Sequence, residues 1–483
     1  MPNIRFVIKI LGMMLILESL FMSSAVLVAL YYKGDDFIPL LTSCIIMLST
    51  GFVFFLFGRK TKDPGNGRRE GMLIVTLTWL LLSFVGMLPY YLGGYVNSIA
   101  DAYFETISGF TTTGASILTD IEALPHGILF WRSLTQWQGG IGVIVFTVAI
   151  LPIFGVSASQ MFEAETTGIT HERFLPRITQ VAKRIWGVYL LLTVVVFLLL
   201  LAGPMETFDA LNHALTSIST GGYSTKNTSL AYWHSAYIEY VTIFAMFIGA
   251  VNMSLIYFCF KAQFQKLFKD EEFRWFVGII VFTATIIAVW INVNNFESGE
   301  RSIRSALFQV ITLISSTGFA TDNYIEWGPF IWFIVLILMF ISGCAGSTSG
   351  GLKVSRFVVL SKNLSNAFKK QTHPHAVIPV RINGRAISAD LVHRILAFVF
   401  AYLTLIVVSC LILTFMGVGF EEATGAAVSC IGNIGPGLGE LGPISNYASI
   451  PDAAKWYLGF LMMVGRLEIF TVLTILVPGF WKQ

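Results

Sequence analysis

The sequence predicts an all-α polytopic membrane protein. It reads as about ten transmembrane helices: two extra N-terminal helices, then four pseudo-repeats of helix, pore loop and helix around a central pore. Three observations lead there. Of 483 residues, 55% are hydrophobic and only 12% charged, with a mean hydropathy of +0.73. So few charges could not cover so much apolar surface in water, which excludes a soluble enzyme, a disordered chain and a disulfide scaffold. The apolar residues gather in long runs. Between those runs, four short segments share one pattern.

Ten runs qualify as spans: Ile10–Tyr32, Phe37–Gly58, Met72–Gly93, Ile128–Phe154, Ile185–Ala202, Tyr237–Phe260, Phe276–Ile291, Pro329–Gly343, Ile395–Met416 and Trp456–Phe480. Most reach the ~20 residues a helix needs to cross the hydrocarbon. The first carries Glu18 and lacks a small-residue cleavage site, so it reads as a retained helix and not a signal peptide. With the N-terminus placed inside, 24 of the 31 Lys and Arg fall on inner segments. Five fall outside (Lys33, Lys226, Arg301, Arg304, Lys455), and Arg132 and Arg466 lie within spans. That asymmetry puts both termini in the cytoplasm. Sixteen acids lie on the outer segments, an expected cation-attracting vestibule. The net charge of +3 gives no reason to expect a nucleic-acid partner. The five cysteines are dispersed, without a CxxC, and read as apolar residues.

The four outer segments are Asp101–Ser116, Asp209–Ser224, Ser305–Ala320 and Glu422–Gly437. They align on Gly114, Gly222, Gly318 and Gly435, at intervals of 108, 96 and 117 residues. Asp101, Asp209, Ser305 and Glu422 stand thirteen residues before each glycine, where an N-cap or an acid suits a helix start. Each segment reads as a helix of about ten residues that enters from outside and stops at mid-depth. The exposed backbone beyond it is tolerated only beside a wet cavity. The glycines are preceded by Thr112 and Thr113, Thr220 and Gly221, Ser316 and Thr317, and Asn433 and Ile434. A glycine admits positive φ and leaves no side chain in the way, so successive carbonyls can ring one axis. Such rings replace the hydration shell of a cation. These twelve residues are the candidate potassium-binding set, and no metal other than the transported ion is expected.

Two further features interrupt the spans. The eighth breaks at Ser342–Gly351, where four glycines with Ser and Thr exclude a stable helix. This reads either as an intramembrane loop or as a plain helix boundary. Arg466 falls near the middle of the last span, where an arginine costs about 2.5–3.5 kcal/mol. It must face the pore or a carboxylate. Glu468, two residues on, points to another face. Arg132, near the start of its span, reads as an outer-face residue, and His213 as packed behind the second glycine loop.

The motifs TTTGA, STGGYST, SSTGFATD and GNIGPGLG, with GGLKVSR at Gly350–Arg356 and GRLEIF at Gly465–Phe470, resemble those of the bacterial Trk/Ktr/HKT superfamily of potassium uptake proteins. The two extra N-terminal spans make the chain similar to the TrkH/TrkG branch. The resemblance implies potassium uptake across the cytoplasmic (inner) membrane, no enzymatic activity and a homodimer. It also implies a cytosolic TrkA-type regulatory subunit that binds NAD, ATP or ADP. The chain itself has no GxxxxGK[ST]; its GxGxxG at Gly437–Gly442 starts where the fourth glycine segment ends and not between a strand and a helix, so it carries no cofactor of its own in this reading. In relatives the first filter glycine is often serine, with weaker potassium preference; here it is Gly114. By the same resemblance the glycine-rich stretch is an intramembrane gate. Gly343, Gly346, Gly350 and Gly351 would supply flexibility, and Ser347, Thr348 and Ser349 polar groups. Arg466 would be a positive charge beside the gate, and Lys353 a second candidate. The rival reading is an ion-coupled secondary transporter moving H+ or Na+ with K+, which would use midspan acids such as Glu18, Glu239 and Glu468. The expected organisation is a two-helix extension at 1–70 and pore repeats at 71–160, 161–270, 271–385 and 386–483.

Overall fold

The computed structural model describes residues 2–61, 68–141, 178–297 and 299–481. Apart from one two-stranded hairpin, Arg381–Ile382 with Arg385–Ala386, its regular secondary structure is helical. Among the described residues six helices are long and apolar enough to cross a membrane, or up to eight if each bent pair is one span. The first two, Ile4–Tyr32 and Phe37–Gly58, form the N-terminal pair. They pack closely because a Cβ on Gly12 would sit 2.6 Å from the Gly51 carbonyl oxygen. Small residues at such contacts let backbones approach where no water drives association. Only 22% of the second span is buried, and Ile38, Phe52, Val53 and Phe57 point outward. An apolar exterior of this kind suits lipid.

Each repeat is built on a short buried helix: Ile99–Phe110, Thr207–Ile218, Glu300–Ile314 and Phe420–Gly432. These are the four pore helices. Their starts correct the expected caps. The first is capped by Ser98, whose hydroxyl accepts from the Asp101 N–H at 3.0 Å. Asp101, Asp209, Glu421 and Glu422 lie in the first turn of their helices. There they complement the positive helix end without capping it. Ser305 lies inside the third helix.

The second helices of the repeats differ most from the expected continuous spans. The sixth run bends by 110° between Ala236–Ala250 and Met253–Phe260. Asn252 makes the break, its side chain accepting from the Ser254 N–H at 2.8 Å to cap the new helix. The eighth run is helical over Pro329–Phe340 and again over Val354–Thr372, with the expected break between. The last run turns by 117° between Asp452–Arg466 and Ile469–Leu476. Arg466 therefore ends a helix and does not sit within one, and Glu468 takes φ +63° at the turn. The fourth run is helical from His126 to Ile141; its remainder, and the boundary expected at 160/161, lie outside the described residues.

Lys455 closes the circle of repeats. It sits 2.6 Å from Asp101, tying the last repeat to the first pore helix. The acids expected on the outer segments are thus partly spent on pairs: Glu105 with Arg132, Asp209 with Lys226, Glu297 with Arg301 and Glu300 with Arg304; Glu239, expected at midspan, lies in the first turn of its helix and pairs with Arg304 as well. Asp120, Glu122, Glu206, Glu326, Glu421 and Glu440 remain exposed.

Candidate ion-conduction site

Each pore helix ends the same way. Thr112, Thr220, Ser316 and Asn433 take left-handed backbone, with φ of 54, 53, 55 and 52°. The next N–H, of Thr113, Gly221, Thr317 or Ile434, returns to the carbonyl five residues earlier at 2.9–3.0 Å. This is a Schellman closure, in which the left-handed residue lets the chain leave the helix while its last carbonyls stay bonded. Two residues after each left-handed position, Gly114, Gly222, Gly318 and Gly435 are left-handed again, with φ of 81, 80, 81 and 102°. The pattern is repeated four times. Such geometry in Thr, Ser and Asn costs free energy, and it persists here inside a buried frame.

The glycines place the four loops around one axis. A Cβ on Gly114 would strike the Gly221 carbonyl, and one on Gly222 would strike that of Thr317. One on Gly318 would strike that of Ile434, and one on Gly435 would lie 2.7 Å from the Thr113 carbonyl oxygen. Each glycine thus abuts the carbonyl before the next repeat's glycine, and the fourth returns to the first. All twelve residues singled out in the sequence fall in this ring. It is not perfectly symmetric: the Gly221 carbonyl also accepts from Gln136 at 2.6 Å.

Polar side chains brace the ring from behind. His213 bonds the Asp209 carbonyl at 2.8 Å and the Ser224 hydroxyl at 2.9 Å, as its aligned position suggested. Glu105, at the same position of the first loop, accepts from the Ser116 hydroxyl and the Ile117 N–H at about 3 Å. Gln309 does the same for the third, donating to the Asp322 carbonyl at 3.2 Å. Arg132, read from the sequence as an outer-face residue, is buried in the protein. Only 2% exposed, it pairs with Glu105 at 2.6 Å, donates to the Ser224 carbonyl and stacks 3.6 Å from the Tyr223 ring centroid. A lone arginine at this depth would be costly, and the pair with its extra hydrogen bonds removes that cost. Tyr447 donates to the Gly435 carbonyl at 2.9 Å and Tyr324 to that of Gly437 at 2.6 Å. Sequence reasoning missed Gln136 and Tyr223, because their partners lie in other repeats, and Tyr447, which reaches back twelve residues to Gly435 from the loop beyond it.

The glycine-rich stretch lies directly against the ring's left-handed residues. Thr348 accepts a hydrogen bond from the Thr220 hydroxyl at 3.2 Å, and the Gly350 N–H donates to the Ser316 hydroxyl at 2.8 Å. A Cβ on Gly350 would meet Asn433. The loop is also bonded to the broken second helix of the second repeat. The Cys344 and Thr348 N–H groups donate to the carbonyls of Ala250 and Gly249 at 2.8 and 3.2 Å. Gly346 and Gly351 take φ of 73 and 62°, which the loop's turns require. A Cβ on Gly343 would meet the Ser349 hydroxyl. Ser347 and Ser349 are buried with it, and Lys353 turns inward to bond the Ser349 carbonyl and does not face outward. Arg466 joins two repeats to this loop. It donates to the Thr348 carbonyl at 2.7 Å and to those of Gly139 and Gly140 at 2.7 and 3.1 Å. Glu468 pairs with Arg356 at 2.8 Å, consistent with its pointing to another face.

Comparison with known proteins agrees with this architecture. A family model described as TrkH, cation transport protein, matches residues 43–481. The Trk system potassium uptake protein TrkH of Escherichia coli K12 is 37% identical over the whole of both chains. The potassium uptake protein TrkG of the same strain is 30% identical, over 100% of this chain and 99% of that one. The crystal structure of the potassium transporter TrkH from Vibrio parahaemolyticus superposes with a TM-score of 0.90 at 34% identity, covering 99% of this chain and 100% of that one. With sequence and fold matching from end to end, the chain belongs to the TrkH family of cation transport proteins.

Proposed function

We propose that this chain carries potassium into the cell across the cytoplasmic membrane, through the ring of Thr112–Gly114, Thr220–Gly222, Ser316–Gly318 and Asn433–Gly435. The observation that supports this most directly is the closed cycle in which each glycine abuts the next repeat's carbonyl. A ring of fixed carbonyls, with four helix C-termini aimed at it, favours a dehydrated monovalent cation. Exposed outer acids raise the local cation concentration. Ser342–Lys353 and Arg466 form the gate on the inner side, with both termini cytoplasmic. The working unit is a homodimer controlled by a cytosolic nucleotide-binding subunit of the TrkA type. Its relatives' names as potassium uptake proteins support the substrate.

The test is ⁸⁶Rb influx into proteoliposomes holding the purified protein, with external K+ or Na+ as competitor. Potassium should suppress the influx at concentrations where sodium does not. Equal competition by the two ions would remove potassium selectivity from this reading.

A further inference from the structure

Glu272 lies outside the ring and the gate as described so far. It stands in the first turn of the helix Glu271–Val293, the first helix of the third repeat. One of its carboxylate oxygens accepts from two backbone N–H groups: Ala345 at 2.7 Å and Ser355 at 2.9 Å. These flank the part of the glycine-rich loop that touches the ring. Ala345 precedes Ser347–Gly350, and Ser355 opens the helix that follows the loop. A single oxygen therefore holds the two limbs together. The Ala345 carbonyl is held in turn by Asn252 at 2.7 Å.

The residues just before Glu272 are seated on the hairpin Arg381–Ala386. Its tip, Asn383–Gly384, has φ of 48 and 77°, the pattern of a tight Asn-Gly turn. Asn383 makes three bonds to the helix start. Its side chain accepts from the Glu271 N–H at 2.8 Å and donates to Asp270 at 2.9 Å, and its own N–H donates to Glu271 at 3.1 Å. Lys362 pairs with Glu271 and donates to the Arg381 carbonyl at 2.7 Å. A polar chain thus runs from the hairpin, through Asp270 and Glu271, to Glu272 and both limbs of the loop.

We infer that Glu272 is a positioning residue for the gate: a latch that keeps the loop against the ring and lets a shift of the hairpin release it. This rests on the gate reading above. The carboxylate suits the task because one charged acceptor serves two donors at once, and charge-assisted bonds are the stronger ones. A displacement of the helix start breaks both bonds together, so the loop responds as a unit.

The test measures basal ⁸⁶Rb flux per folded protein, checked by gel filtration, in the full-length chain without partner. Glu272→Ala should raise basal flux by about tenfold through loss of both bonds, with the Na/Rb ratio unchanged. Glu272→Asp, one methylene shorter, should raise it too, and supplies the answer if the alanine variant fails to fold. Glu272→Gln keeps an acceptor oxygen but loses the charge, and should raise flux less than Glu272→Ala does. Asn383→Ala should raise flux less, and added to Glu272→Ala should raise it no further, since both act through one connection. Deletion of Ala345–Ser349 separates the two readings. If that deletion raises flux while well-folded Glu272→Ala and Glu272→Asp match the parent, the latch is overturned and the gate stands. If the deletion leaves flux unchanged, both fall. A rise accompanied by lost ion discrimination would also overturn the latch, since it would mean a distorted ring.

Discussion

Gly114 shows how much one residue can carry. Its φ of 81° is one that a substituted residue enters at a cost of about 1–2 kcal/mol. Its missing Cβ also leaves the space occupied by the Gly221 carbonyl. Gly114→Ser must therefore push that carbonyl aside while adding a hydroxyl to the ring. The expected outcome is greater sodium passage relative to potassium, read as the ratio of ²²Na to ⁸⁶Rb uptake in proteoliposomes. An unchanged ratio with intact uptake would take Gly114 out of the filter. The neighbouring braces explain why such a loop holds its shape. Glu105, His213 and Gln309 occupy one aligned position and each bonds the outgoing strand. Three chemistries thus meet one mechanical need. Alanine takes that position in the fourth loop, where Tyr447 bonds the glycine carbonyl directly.

The glycine-rich loop is the element to which the proposed function assigns the gate. It borders pieces of all four repeats: Thr220, Gly249 and Ala250 of the second, Ser316 of the third, Asn433 and Arg466 of the fourth, and through Arg466 the carbonyls of Gly139 and Gly140. Arginine suits this place because its planar fork bonds separate acceptors while keeping a fixed charge beside the glycine-rich loop. Arg466→Ala, or deletion of Ala345–Ser349, should raise basal ⁸⁶Rb flux without changing selectivity, because the ring is untouched. If Arg466 were only a structural tie, its removal would lower the yield of folded dimer and leave flux per folded molecule unaltered. Gel filtration alongside flux distinguishes the two. The breaks at Asn252 and at Leu467–Glu468 belong to the same element in space, since they turn helices aside where the loop enters.

At the scale of the whole molecule, the chain pairs four continuous pore helices with second helices that are interrupted in the second, third and fourth repeats. Four pore helices and their braces are tied together by buried pairs such as Arg132–Glu105 and Lys455–Asp101. The interrupted second helices lie on the other side of the ring, next to the polar hairpin and its basic flanking segments. The sequence has no GxxxxGK[ST], and its GxGxxG at Gly437–Gly442 lies in a 3-10 turn after the fourth pore helix and not between a strand and a helix. Calorimetry on the purified chain should therefore show no tight binding of ATP or NAD, and nucleotide should change ⁸⁶Rb flux only when the cytosolic partner is added. Submicromolar ATP binding by the chain alone would contradict this division of labour.

The sequence by itself determined the membrane setting, the number of repeats and the place of every ring residue. Hydropathy and the recurrence of glycine after a short helix are local properties, and bilayer depth allows few structures for each. It also marked the break at Ser342–Gly351, because four glycines with Ser and Thr in ten residues do not make a stable helix. Only the tertiary structure decided the rest. Asn252 sits in an apolar run that reads as one helix, and breaks it because Ala345 of another repeat waits for its side chain. Arg466 counts to mid-span in the sequence but ends a helix, because carbonyls of two other repeats receive it there. Arg132 reads as an edge residue until Glu105 is brought beside it. In each case the partner is distant in sequence, and a charged or amide group in low dielectric goes where its hydrogen bonds can be met.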